Sequence, residues 1–213
     1  TPVTAMAAKI VGGETDDCTV SAYGYNPNLM SSSPFTGAIY SIVTSVAKVV
    51  AAGAEMNDIR LTLQEFFMRL RDDKKRWGVP LSALLGALYA QINLGLAAIG
   101  GKDSMSGTFE DIDVPPTLIS FALAPAKASR LITNVPEKAG EKMWLLPMRK
   151  DENSVPDFDY LKKLYAAVHS GISAGVIKHA TVIEQGGIAS AVAKRCFGHG
   201  LGFEFALSEG ELF

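Results

Sequence analysis

The chain has 213 residues, 48% hydrophobic and 20% charged, enough apolar side chain for a buried core in one large or two small domains and too much for a disordered or fibrous chain. Its 20 Lys and Arg against 22 Asp and Glu leave a formal charge of -2. No global field therefore draws it to nucleic acid or to an anionic membrane, and any anion must be held by a local site.

Cys18 and Cys196 lie far apart with no CxxC pair, which argues against a disulfide framework and for a reducing, cytoplasmic compartment. No uninterrupted apolar run reaches the roughly 18 residues of a bilayer span, because Lys48 interrupts the best candidate. The first residues, Thr1-Pro2-Val3-Thr4, carry neither an initiator Met nor signal-peptide zones, and the chain stops at Leu212-Phe213; both fit a fragment.

In chain order, residues 1 to about 30 mix short apolar stretches with Gly12-Gly13 and Asn26-Pro27-Asn28, reading as strand and loop. From Pro34, Ile39, Ile42, Val43, Val46, Val49 and Val50 recur at helical spacing, with Gly53 as the stop. Ile59, Leu61 and Leu63 then alternate with Arg60, Thr62 and Gln64 as in a half-buried strand. Residues 69–76 are charged with mixed sign, a solvated loop or helix end. A second helix follows Pro80-Leu81 and ends near Gly95. Pro115-Pro116 marks the expected domain boundary, giving units 1–113 and 114–213. Beyond it, strands are expected over 117–123, 142–146 and 201–207, a helix over 158–177, and another from Ile188 after Gly186-Gly187. The sum is an α/β arrangement in each half.

The strongest chemical signal is Gly100-Gly101-Lys102-Asp103-Ser104-Met105-Ser106, read as a loop after a strand over 97–99. Adjacent glycines allow backbone conformations that aim successive N–H groups at an anion. Lys102 adds a charge, Ser104 and Ser106 hydroxyls, and Asp103 an oxygen ligand suited to the Mg2+ that accompanies nucleotide phosphates. The Walker spacing is absent, and the same residues also fit a tight turn. Gly186-Gly187 at a helix start offers a second phosphate cradle or a compact turn, with Glu184 and Gln185 beside it. Ser45-x-x-Lys48 matches a serine–lysine spacing but sits in an apolar helix without companion motifs. His169, His179 and His199 lack ligand spacing, and Glu110, Asp111 and Asp113 read as solvent-facing.

The words of the sequence add a resemblance. Ala97 through Phe109, Asp113-Val114-Pro115-Pro116 with Thr117 through Ala122, Ser21 through Pro27, Ser33 through Tyr40 and Ile59 through Glu65 closely resemble phosphoribosylformylglycinamidine synthase, nearly throughout the chain. The resemblance implies an aminoimidazole ribonucleotide synthetase-like fold, with an N-terminal-type segment over 1–113 and a C-terminal-type segment over 114–213, both from the second synthetase half. It implies an ATP-dependent ligase of purine biosynthesis that converts formylglycinamide ribonucleotide with glutamine-derived ammonia. The other synthetase half and the glutaminase domain would be the partners, so the segment alone is expected to be inactive.

Position by position, the resemblance assigns backbone donors to Gly100 and Gly101, charge neutralisation to Lys102, metal contact to Asp103 and a hydroxyl donor to Ser104. It also implies an auxiliary nucleotide site whose metal ligands are missing here, where Thr44, Ser45 and Val49 and the run Glu184-Gln185-Gly186-Gly187 stand. Two alternatives remain. One is a non-catalytic scaffold half; the other is a different ATP enzyme of the superfamily, such as aminoimidazole ribonucleotide synthetase or selenophosphate synthetase.

Overall fold

The computed structural model describes residues 3–11, 14–207 and 209–211. Its elements run β1 (Met6–Lys9), β2 (Asp17–Gly24), α1 (Pro27–Ser32), α2 (Pro34–Ala51), β3 (Arg60–Phe66), α3 (Lys74–Leu94), β4 (Ala98–Lys102), β5 (Thr108–Phe109), β6 (Ile112–Asp113), β7 (Thr117–Lys127), α4 (Phe158–Ser173) and α5 (Gly187–Cys196).

Local chemistry sets the helix limits. The Ser33 side chain caps α2 by accepting from the Thr36 N–H, Pro34 occupies the first turn, and Gly53 takes φ 116° just past the end. The expected stripe of Ile39, Ile42, Val46 and Val49 is fully buried. By length and composition α2 could cross a membrane, which the interrupted run had hidden; its buried positions are instead spent on the protein core. α1 lies at the end of the stretch whose composition suggests strand and loop. It is a helix because Asn26 accepts from the Leu29 N–H and Pro27 supplies a preset first turn. α3 starts six residues before Pro80, capped by Asp73, and ends as expected at Gly95 in the left-handed region. An interior proline is tolerated there at the cost of one backbone bond.

Five strands form one sheet in the order β1-β2-β7-β3-β4. β7 lies at its centre, antiparallel to β2 on one side and to β3 on the other, while α3 is the crossover that brings β4 parallel to β3. Helix α2 lies on one face of the sheet against β2 and β7, and α3 and α4 pack on α2. A boundary at 113/114 therefore cuts the sheet, since Thr117 pairs with Phe66 and Ser120 with both Gly24 and Leu63. The double proline follows the β5–β6 hairpin and leads straight into β7. β7 also runs on through Pro125, which lies beyond the last β3 pair at Leu123, where β7 has a partner on one side alone.

The strands expected over 142–146 and 201–207 do not form. A strand needs a ladder, and among the described residues this part of the chain has only isolated bridges, Thr133 with His179 and Lys150 with Pro156. Trp144 is 83% exposed, so its apolar run enters no core. The two expected helices do form, as α4 and α5, with Gly186 and Gly187 both at positive φ before the latter.

Candidate functional site

Gly100, Gly101 and Lys102 belong to β4, so the loop proper begins at Asp103, three residues later than expected. Neither glycine has positive φ, and the expectation of an unusual backbone cradle at this pair is not met. Gly101 has another reason to be glycine: a Cβ there would meet the Leu63 carbonyl oxygen at 2.4 Å, so it lets β4 lie against β3. Gly100 faces open space. Side chains of β3 secure the strand: Thr62 Oγ1 donates to the Gly100 carbonyl at 3.1 Å and Gln64 Nε2 to the Lys102 carbonyl at 3.0 Å.

The loop is then strapped to the end of β3. Ser104 N–H donates to the Glu65 carbonyl at 2.9 Å and Phe67 N–H to the Ser104 carbonyl at 2.8 Å. This leaves Lys102, Asp103 and Ser106 exposed and Ser104 half-buried. Three of the expected site residues are thus exposed, and Ser104 spends its main-chain groups on Glu65 and Phe67. Behind them, Gly107 N–H donates to the Phe67 carbonyl and Val114 N–H to the Gly107 carbonyl. Asp113 is not a free surface carboxylate: it accepts from Thr108 Oγ1 at 2.6 Å and from both terminal nitrogens of Arg76 at 3.2 and 2.7 Å. The Thr108 hydroxyl, then Arg76, holds its carboxyl below the usual range.

Glu65 was not singled out from the sequence. It is 1% exposed, and neither carboxylate oxygen has a hydrogen-bond partner. Burial first, and then the charge of Asp103, push its carboxyl up to about 7. The alternation already contained the signal: one further step along Ile59, Leu61 and Leu63 places residue 65 on the buried face.

A second, more enclosed cleft of about 230 Å³ lies away from the loop, lined by Tyr23, Lys48, Glu184, Gln185, Lys194 and Arg195 among others. Lys48 is buried, yet its ammonium donates to the Tyr23 carbonyl at 2.9 Å, pairs with Glu184 at 2.8 Å and lies 4.9 Å from the centre of the Tyr23 ring. The serine–lysine spacing therefore brings no pair together, since Ser45 Oγ bonds Ile42 and Ser120. Glu184 meets α2 through this ion pair, and α5 has no side-chain cap. Nearby, Arg195 contacts His179 Nδ1, while His179 Nε2 lies 3.1 Å from Glu141. A guanidinium only donates, so Nδ1 accepts and Nε2 carries the proton toward Glu141. Cys18 is buried and donates to the Ala126 carbonyl, and burial raises its thiol.

No protein-family model matches the chain, and no curated protein matches it. Solved structures do. The layered sheet and helices are those of the aminoimidazole ribonucleotide synthetase-like fold. Within it, the chain is similar to Thermotoga maritima PurL complexed with FGAR, with a TM-score of 0.69 at 20% identity over 97% of this chain and 31% of that one. It is similar to the same protein complexed with ATP, with a TM-score of 0.68 at 20% identity over 97% and 32%. AaThiL complexed with AMPPCP and TMP gives a TM-score of 0.53 at 13% identity, over 93% of this chain and 64% of that one. The chain spans about one third of the length of these PurL structures.

Proposed function

We propose that the chain is part of a phosphoribosylformylglycinamidine synthase, an ATP-dependent carbon–nitrogen ligase acting on formylglycinamide ribonucleotide. One observation carries the reading: the chain shares its fold with PurL over 97% of its length, and Lys102, Asp103 and Ser106 of its motif are exposed at and just beyond the end of β4. The neighbours complexed with ATP and with FGAR support these two as the ligands. The sheet through β7 then corresponds to the N-terminal-type segment and the remainder to the C-terminal-type segment, with the other synthetase half and a glutaminase as partners.

ATP would supply the phosphoryl group that turns the amide oxygen of the substrate into a leaving group, which ammonia then displaces. The chain's own part is electrostatic. The Lys102 ammonium offsets charge on phosphate oxygens, and the Ser104 and Ser106 hydroxyls donate to them. Asp103 would hold Mg2+. Among the described residues no three His, Cys, Asp or Glu converge, but Mg2+ is commonly held by one or two carboxylates together with phosphates and water, so the donor set fits. At the second cleft, Lys48 fills the space beside Glu184 with an ammonium, which supports the reading that the auxiliary nucleotide site binds no nucleotide in this protein; tight magnesium-ADP binding that depends on Thr44 or Gln185 would refute it.

The decisive experiment is Asp103→Ala in the full enzyme, assayed for formylglycinamidine ribonucleotide formation. Under this proposal turnover falls at least about a hundredfold, the scale of losing one preorganised electrostatic group. Near-normal turnover would make this half a scaffold.

A further inference from the structure

We infer that the buried carboxylate of Glu65 and the exposed carboxylate of Asp103 together form one seat for a divalent cation where β3 and β4 end. The inference rests on the proposed role of Asp103 and adds a residue that neither motif nor resemblance marked.

Glu65 is the anomaly that calls for an occupant. A carboxyl group 1% exposed with both oxygens unpartnered bears a full desolvation cost in either protonation state, since even the neutral acid needs an acceptor for its proton. No Lys, Arg or His among the described residues forms an ion pair with it. Its position is fixed. The Ser104 N–H on the Glu65 carbonyl and the Phe67 N–H on the Ser104 carbonyl hold the loop across this one residue, which sets Asp103, the neighbour of Ser104, beside Glu65.

Two carboxylates held close repel each other, and a dication relieves both at once. A single guanidinium or ammonium from another chain would balance only one of the two charges. The donors are hard oxygens, and a pair of carboxylates with open positions for phosphate and water is the way proteins hold Mg2+. Asp103 is then the exposed ligand that meets the arriving ion, and Glu65 the buried one that fixes its depth. Gly101 and the strap through Ser104 keep the two strands in the register that holds them together.

The test is a calorimetric titration of the chain with MnCl2, alone and with ADP, for wild type, Glu65→Gln, Glu65→Asp and Asp103→Asn. Melting curves without metal establish that each variant is folded. Both Glu65→Gln and Asp103→Asn should weaken Mn2+ binding by about tenfold or more, with Glu65→Asp also impaired by the shorter reach. The Mn2+-dependent rise in melting temperature should disappear with them. Should Glu65→Gln not fold, Glu65→Asp carries the same expectation. Binding lost in Asp103→Asn but unchanged in both Glu65 variants would overturn the inference and leave the loop as a metal site. No Mn2+ binding by the wild type, with or without ADP, would overturn both readings.

Discussion

Gly100 and Gly101 stand side by side in the motif and have opposite structural obligations. Gly101→Ala pushes a Cβ onto the Leu63 carbonyl, a main-chain atom that yields only if the two strands part. It should cost about 1–3 kcal/mol, the usual scale of overpacking. Gly100→Ala meets nothing and should stay within about 0.5 kcal/mol of wild type, both read by chemical denaturation. Glu65 sets a pH dependence of unusual sign. Between the ordinary carboxyl value of 4.5 and its folded value of about 7, the folded protein holds a proton that the unfolded chain has released. Stability from this group is therefore complete below the lower value and lost as pH rises through the upper one, a change of about 3 kcal/mol. In EDTA, Glu65→Gln should remove that decline from a urea-melt series across this window; an unchanged slope would show that the carboxyl is not the group responsible.

The β5–β6 hairpin follows the opposite rule. Asp113 is held below the usual carboxylate range by Thr108 and Arg76, so its support is present above the unfolded-state value and disappears as pH falls through the lowered one. Amide exchange at Gly107 and Val114 should quicken in acid relative to the rest of the sheet, and Asp113→Asn should show the same quickening at neutral pH. At this scale the sequence was most readable where one signal sufficed. The apolar stripe of α2, the αL glycine after α3 and the glycine pair before α5 all sit where periodicity and turn chemistry place them. It failed where an element depends on partners distant in sequence. The run at 142–146 has strand composition and no ladder, and the double proline gives no sign that the strand after it pairs back with both β2 and β3. Of the motif, Lys102, Asp103 and Ser106 are exposed and Ser104 is half-buried. The alternation of β3 places Glu65 on the buried face, but that both of its oxygens lack a partner there depends on contacts distant in sequence.

Among the described residues, the sheet has one face packed against α2 and a second that carries exposed aromatic side chains. On the second, Tyr23, Phe66, Phe121 and Leu123 are each between 40% and 52% exposed, with Tyr23 and Phe121 in ring contact. A contiguous apolar surface of this kind takes up hydrophobic dyes in the native state. Anilinonaphthalene sulfonate should fluoresce with the folded chain, and Phe121→Ser with Leu123→Ser should lower that signal with little change in melting temperature; full fluorescence in the double variant would place the dye elsewhere. The central place of β7 also orders events in time. Asp17 pairs with Lys127 and Gly24 with Ser120, so the sheet is joined by contacts about a hundred residues apart. On a ribosome, β2 and β3 emerge long before the strand that must lie between them. Helix α2 can form early, but the core waits for Lys127, and a nascent chain stalled at the double proline would display two unsatisfied strand edges, the state in which such proteins most need a chaperone.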